Sequence, residues 1–516
     1  MRVMLMLLPL AAAACLAQDD PQFTYLAPGT PQVGGVQDLC LIYHGQQVRE
    51  RWTADALLPY VACVDEQGQP QDWLFDSFLF IEFAADRGAF LHAYSKDRPE
   101  ATAEDWAWLA DCWFREDTGL IGLEGAVAQA GQQLGQPDRK VKVVISLPIP
   151  CVPLGEFGPL PGDAEKLDFS QEEHRQHALR WYLQRVLASW EAAGYQHLDL
   201  AGFYWMAESI PSADHDLVAW TAAYVHEAGY RLYWIPYFGG SGLTGWRELG
   251  LDAVMLQPNY FFQQEPDLHR LLLAAQVAGM AGTGIEIEFD ARALTSDDFY
   301  HRLYAYLDAG ARYGWMNGAV LGYYEGGRAL KQFAQTPGRG RELYQAVCRF
   351  VQGSYQDSGL TDLASLSLVT RDNRENLALA SRGAKIHDAA RPEQYPELAP
   401  EKIIDGDIYL YGGMSGFGYF AIPGSFTLEL PEVSTVARTQ VMLWDRDGRV
   451  FRYRVETSPD NETWEPAVDK SEGEWRGWQV DEFAPRQAKY LRFTGLYNSV
   501  NDLFQVVEFE VYATHE

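Results

Sequence analysis

Between residues 39 and 325 one pattern recurs: a short apolar run rich in β-branched and aromatic residues, then a stretch with helical periodicity. The runs are LCLIYHG (39–45), FDSFLFIEF (75–83), KVKVVISLPIP (140–150) and LDLAGFYWMAES (198–209). They continue with RLYWIPYFG (231–239), DAVMLQPNYFF (252–262), GIEIEFD (284–290) and GAVLGYYEGG (318–327). Helical stretches such as QEEHRQHALRWYLQRVLASWEAAG and SDDFYHRLYAYLDAGARYG separate most of them, and several end in Gly, as a helix C-terminus does. Strands alternating with helices make a parallel sheet, and eight such units predict an α/β fold, a closed (β/α)8 or TIM barrel over residues 22–355. No G-x-G-x-x-G follows the first run, which argues against an open nucleotide-binding sheet.

Beyond about residue 355 the long amphipathic stretches stop. Short alternating runs between turn signals, such as SFTLELPE, RTQVMLWD and FQVVEFEVYA, predict an all-β antiparallel sandwich over 362–516. Six segments carry a family likeness: LALASRGA (377–384), EKIIDGD (401–407), TLELPE (427–432), RDGRVFRYRVETSPDNETWEPAVD (446–469), AKYLRFTGL (488–496) and VVEFEVYA (506–513). Together they resemble the discoidin, or coagulation-factor C-type, domain, a galactose-binding-like fold. That resemblance implies a carbohydrate-binding module and a structural calcium at Asp405, Asp407 and Glu508. A plain tight turn at Asp405-Gly406 is the other reading. The Gly- and Tyr-rich YLYGGMSGFGYF (409–420) is either the sugar-binding loop or a loop packed against the barrel.

A chain of 516 residues exceeds one ordinary core, in keeping with this division. Its net charge of −30 argues against nucleic acid and anionic membrane surfaces as partners. The N-terminus, MRVMLMLLPLAAAACLAQDD, reads as a secretory signal peptide over 1–17. Ala-Ala-Ala-Cys15 resembles a lipoprotein box, whereas Ala17 before Gln18 fits ordinary cleavage, and both remain open. The expectation is an exported protein, periplasmic, outer-membrane lipoprotein or extracellular, with no later membrane span. Cysteines at 40, 63, 112, 151 and 348 lack C-x-x-C spacing and read as isolated buried thiols with at most one or two bridges. The 11 His form no H-x-H or H-E-x-x-H, so no cofactor is expected for catalysis.

In a barrel of this kind alternate strand residues face the lumen, and chemistry sits at the C-terminal rim. In GIEIEFD, Ile285, Ile287 and Phe289 then face the helices. Glu286, Glu288 and Asp290 face the lumen from depth to mouth, in steps of roughly 6.6–6.8 Å. Glu286 is expected as a buried, hydrogen-bonded support and Asp290 as a rim contact. The fourth run ends in Glu208, with Gly202, Tyr204 and Met206 on its face. Acids ending strands four and seven resemble the clan A retaining glycoside hydrolases, which implies Glu208 as acid/base and Glu288 as nucleophile. Retention calls for carboxyls about 5–5.5 Å apart. The clan carries Asn before its acid/base, where this chain has Ala207.

Further rim candidates for a sugar subsite are Tyr43, His44, Asp76, Glu82, Tyr237, Gln257, Asn259, Tyr260, Tyr324 and Glu325. Amides, carboxylates and aromatics together suit a polyol. Glu325 beside Gly326-Gly327 also reads as a cap of the following helix, and Asp76 as a loop anchor. An inverting enzyme would pair Glu208 or Glu325 with Asp290 at about 6.5–9.5 Å. A different class, a non-catalytic glycan-binding surface protein, uses the same residues to hold hydroxyls. WLFDSFLF, LAGFYWMAES, QPNYFF and GIEIEFD are similar to a bacterial family of unknown function, domain-of-unknown-function 4855. This implies a sugar-related barrel and brings no substrate.

Overall fold

A computed structural model describes residues 24–514 except 44–50, 94, 116–118, 153–156, 163, 244, 364–365, 367–374, 390–398, 407–416 and 446–447. The signal segment with Cys15, His44, Asp407 and most of the 409–420 loop therefore lie outside the described residues.

Eight parallel strands close on themselves: β1 (Asp38–Tyr43), β2 (Ser77–Ile81), β3 (Val141–Leu147), β4 (Leu198–Trp205), β5 (Arg231–Trp234), β6 (Ala253–Leu256), β7 (Gly284–Glu288) and β8 (Leu321–Tyr324). Each pairs with its sequence neighbour, and β1 pairs with both β2 and β8. The observed strands are shorter than the apolar runs because most runs continue past the last ladder bond into a loop at the mouth.

Around them run α1 (Ala54–Val61), α2 (Ala103–Cys112), α3 (Leu120–Gln133), α4 (Glu172–Ala193), α5 (His215–Glu227), α6 (His269–Ala281), α7 (Asp297–Tyr313), α8 (Ala329–Gln335) and α9 (Arg339–Val351). The expected glycine stops are present: Gly194, Gly282 and Gly314 take left-handed conformations at the ends of α4, α6 and α7. The (β/α)8 plan departs at one crossover. Between β5 and β6 the described residues form turns and no helix. That segment, YFGGSGLTGWRELG, carries Gly where a helix would need side chains to cover the sheet.

The C-terminal part is antiparallel. Its strands are β9 (Lys385–His387), β10 (Gly418–Ala421), β11 (Gly424–Leu443), β12 (Phe451–Ser458), β13 (Glu465–Trp475), β14 (Gly477–Asn498) and β15 (Leu503–Ala513). The order is β10-β15-β11-β14-β12-β13, with β9 beside β11. Register shifts at Glu429/Ser434 and Val436/Arg438 bend the two longest strands, so a β-sandwich forms over Phe420, Phe426, Phe493 and Phe504.

The two parts share a seam. Phe417, Met442, Trp444 and Val507 of the sandwich pack into the apolar cluster of the barrel. Arg476 pairs with Asp267, just before α6, at 2.9 Å. Arg270 of α6 and Arg476 both act electrostatically on Asp445 of the sandwich. The described end of the 409–420 loop thus follows the packed reading, with Phe417 tilted against Trp444 at 5.2 Å.

The cysteines from 40 to 348 are free thiols, three of them buried. They are not all isolated, because the side chains of Cys63 and Cys348 hydrogen-bond to each other. No helix among the described residues is long and apolar enough to cross a membrane.

Candidate functional site

The expected division of GIEIEFD between two faces holds. Phe289 stacks on Phe333 of α8 at 5.8 Å, on the helix side. Glu286 lies inside, where the missing side chain of Gly322 leaves it room beside Met255 and Ile235. Glu286 and Glu288 are each 3% exposed. They repel each other and Glu208, so all three carboxyls belong to one cup at the C-terminal mouth.

The three differ in what surrounds them. Burial lifts Glu286 well above the usual carboxylate range, and the charges of Glu288 and Glu208 push the same way. Among the described residues no hydrogen bond to its carboxyl is formed, contrary to the expectation of a hydrogen-bonded support. Such a group keeps its proton. Burial raises Glu288 to about 7, against the Tyr306 hydroxyl, which donates to it, and the nearby backbone N–H groups of Asn259 and Tyr260, which pull the other way. Glu208 stands exposed three residues beyond the end of β4. The protein around it still excludes enough water to raise its pKa, opposed by the one amide that reaches it. That amide is Gln257 Nε2, 3.2 Å from Glu208 Oε1. Asn259 Nδ2 in turn donates to Gln257 Oε1 at 3.2 Å, and Phe238 N–H donates to Asn259 Oδ1 at 2.9 Å. The position before Glu208 is Ala207, so the amides of this site come from the end of β6 instead.

Tyr43, Tyr204 and Tyr324 complete the cup: each hydroxyl feels the charge of Glu286, and burial raises all three. Tyr260 packs edge-on against Tyr306 at 5.8 Å. Tyr237 is half-buried at the rim, its N–H on the Glu208 carbonyl at 3.2 Å. Asp290 caps the short turn that follows and is bound to Arg292, while its charge is still felt by Tyr324.

Two of the expected rim acids are elsewhere. Glu325 is 1% exposed and turned away from the lumen, where it accepts from Tyr60 at 3.0 Å, from Leu330 N–H at 2.9 Å and from Arg328 N–H. It is the helix cap of α8, and Tyr324 takes the inward position. Asp76 lies at the opposite end of the barrel. It precedes β2 and accepts from Asp38 N–H at 2.8 Å, Gln37 N–H at 3.1 Å and Ser77 Oγ at 2.9 Å. Glu82, one residue beyond β2, is buried and holds Ala84 N–H at 3.2 Å.

Sequence reading missed Tyr306, which belongs to the buried face of α7, an element with no expected role in the site. It also missed Phe83, Phe90, His92 and Phe262, which stand at the mouth on loops after β2 and β6.

In the sandwich, Glu508 is fully buried and accepts Gly406 N–H at 3.0 Å, while Asp405 pairs with Lys402 at 3.3 Å. Among the described residues no group of three His, Cys, Asp or Glu is arranged to hold a metal ion.

Compared with known proteins, residues 38–349 match the family described as Domain of unknown function (DUF4855), and residues 390–509 match the F5/8 type C domain. BTB/POZ domain-containing protein 9 of Drosophila melanogaster is 33% identical over 118 residues, which is 22% of this chain and 16% of that protein. Its Homo sapiens counterpart is 32% identical over 146 residues, 28% of this chain and 22% of that protein. The matched segment is thus about a fifth of the length of these relatives. Among solved structures, chitosan-binding module 1 from the chitosanase/glucanase of Paenibacillus sp. IK-5 is 20% identical (TM-score 0.22), covering 27% of this chain and 99% of the module. The Clostridium perfringens module CpGH89CBM32-5, solved with GalNAc-β-1,3-galactose, is 17% identical (TM-score 0.23), covering 27% of this chain and all of that one.

Proposed function

The chain belongs to the DUF4855 family, and from that membership and the carboxylate cup we propose that it is an exported glycoside hydrolase of the retaining type. One observation carries the reading: two acids at opposite strand ends with unlike surroundings. Glu288 accepts from the Tyr306 hydroxyl and has the backbone N–H groups of Asn259 and Tyr260 beside it, which favour its ionised form against the burial that raises it. Glu208 has a single neutral amide and an exposed side chain at the mouth. Unlike surroundings are how paired carboxylates divide acid and nucleophile work.

In this mechanism Glu288 attacks the anomeric carbon as the bond to the leaving oxygen breaks, and Glu208 gives its proton to that oxygen. Water, deprotonated by Glu208, then releases the sugar from Glu288. Glu286, protonated beneath them, keeps the floor of the cup neutral, so that Glu288 ionises without a second buried charge. The sandwich serves as a carbohydrate-binding module, in line with its F5/8 type C match.

The test is turnover of a panel of oligosaccharides, with the anomeric configuration of the first-formed product read by NMR. Retention is expected. Inversion would overturn the mechanism, and an oligosaccharide bound tightly but recovered intact after long incubation would make the protein a glycan-binding scaffold.

We also propose a structural calcium in the sandwich, held by Glu508, Asp405 and Asp407. A wholly buried carboxylate facing an Asp-Gly turn supplies hard oxygen donors of the kind calcium takes. Chelation should lower the melting temperature of the full chain, and added calcium should restore it. An unchanged Tm in chelator removes the ion.

A further inference from the structure

The aromatic side chains of the mouth form one unbroken arc. Phe262 stands edge-on to Tyr324 with centroids 5.5 Å apart, and Tyr324 edge-on to Tyr43 at 5.4 Å. Tyr43 meets Phe83 at 5.4 Å, Phe83 meets His92 at 4.6 Å, and His92 meets Phe90 at 5.2 Å. Arg98 closes the far end, its guanidinium 4.1 Å over Phe90. The rings come from the ends of β1 and β8 and from the loops after β2 and β6, so no local backbone pattern forces them together.

None of the six is fully buried, and Phe262 is 42% exposed. Half-buried rings in a continuous string lack part of the burial that stabilises rings elsewhere in this chain. A ligand with apolar faces would recover it.

The opposite wall narrows the choice of ligand. Glu208, Gln257 and Glu288 present carboxylate and amide groups to the same mouth, and Tyr43 and Tyr324 border the cup directly. A pyranose ring has a C–H face for stacking and a rim of hydroxyls for carboxylates and amides. His92 fits the same pattern. Burial lowers its pKa, so the ring is neutral near pH 7, and its Nδ1 lies 3.4 Å from the Phe83 carbonyl. A neutral ring donating there leaves Nε2 as an acceptor for a hydroxyl.

We propose that this arc is a stacking track for a linear oligosaccharide of pyranose units. One unit sits over Tyr43 and Tyr324 beside the acids, and further units run outward along Phe83, His92 and Phe90. The inference rests on the glycoside hydrolase reading above and adds where the chain lies and that several units are held at once.

The test uses the full chain carrying Glu288→Gln, so that ligand is bound without being consumed. Glucose, galactose and N-acetylglucosamine oligosaccharides of two to six units are titrated by calorimetry. Affinity should rise with length. Phe83→Leu and Phe90→Leu, which keep apolar bulk and whose folding is checked by melting temperature, should each weaken the hexasaccharides about 3–10-fold and the disaccharides less. If oligosaccharides bind but both variants hold every length as tightly as the parent, the track is wrong and the hydrolase reading stands. If no oligosaccharide binds the parent, the glycan reading fails and the track fails with it.

Discussion

Glu288→Gln should lower turnover on the order of 10⁴-fold, as removal of a single member of a catalytic unit does elsewhere. The amide keeps the shape of the carboxyl, so the melting temperature should move little. What is lost is the oxygen nucleophile, for which no other side chain of the cup substitutes. Glu286 lies one strand step deeper and is held neutral by burial and its neighbours. Tyr306→Phe separates the role of Glu288 from its mere presence. The tyrosine hydroxyl favours the ionised form of Glu288, so its loss raises the Glu288 pKa. Because the reaction needs Glu288 ionised, the acid limb of the pH–rate profile should shift to higher pH. A Glu288→Gln variant with more than a tenth of parental kcat, or a Tyr306→Phe profile with an unmoved acid limb, would take Glu288 out of the nucleophile's place.

Glu325→Ala should destabilise the barrel by about 3–5 kcal/mol without entering the chemistry, because it removes the partner of three buried donors and leaves a void. The donors are the Tyr60 hydroxyl and the N–H groups of Arg328 and Leu330. A loss of that size corresponds to a fall in Tm of roughly 5–15 °C. The pH dependence has a definite sign. Burial pushes Glu325 up to about 7 against the opposing hydrogen bonds, above its value of 4.5 in an open chain. Between these values the folded state holds a proton that the unfolded state has released. The stability contributed by Glu325 is thus complete below about pH 4.5 and is lost as pH rises through about 7. Glu325→Gln, neutral at every pH, should flatten that part of the Tm profile. Thermal unfolding from pH 4.5 to 8 checks both variants, and a catalytic defect with an unchanged Tm would return Glu325 to the active site.

The position of Glu325 also shows how far the sequence could be read. Alternation alone separates it from Tyr324, since adjacent strand residues cannot both face the lumen. Placing both at the rim breaks that rule, whereas GIEIEFD obeys it and its two faces are as expected. Asp76 was misplaced along the strand rather than across it. The apolar run begins at Phe75, two residues before the ladder, and an acid there belongs to the foot of the barrel. The number and order of strands were legible because each is apolar, short and bounded by turn residues. The missing helix between β5 and β6 was legible only as a run of glycines. Tyr306 and the aromatic arc were not legible. One acts from a helix whose inward tyrosines look like ordinary core, and the other exists only through the meeting of distant loops.

The seam between barrel and sandwich has a consequence for geometry. Buried apolar residues and the Arg476–Asp267 pair fix the two parts at the mouth end of α6. Two binding sites joined by a flexible tether enhance each other through an effective concentration that falls with tether length. Here that law has no tether to act on. If the sandwich binds glycan as proposed, a chain gripped there would meet the mouth at one set distance and angle, and the pair would behave as a ruler. It would favour polymers whose spacing of recognised units matches the gap and ignore the same sugars at any other spacing.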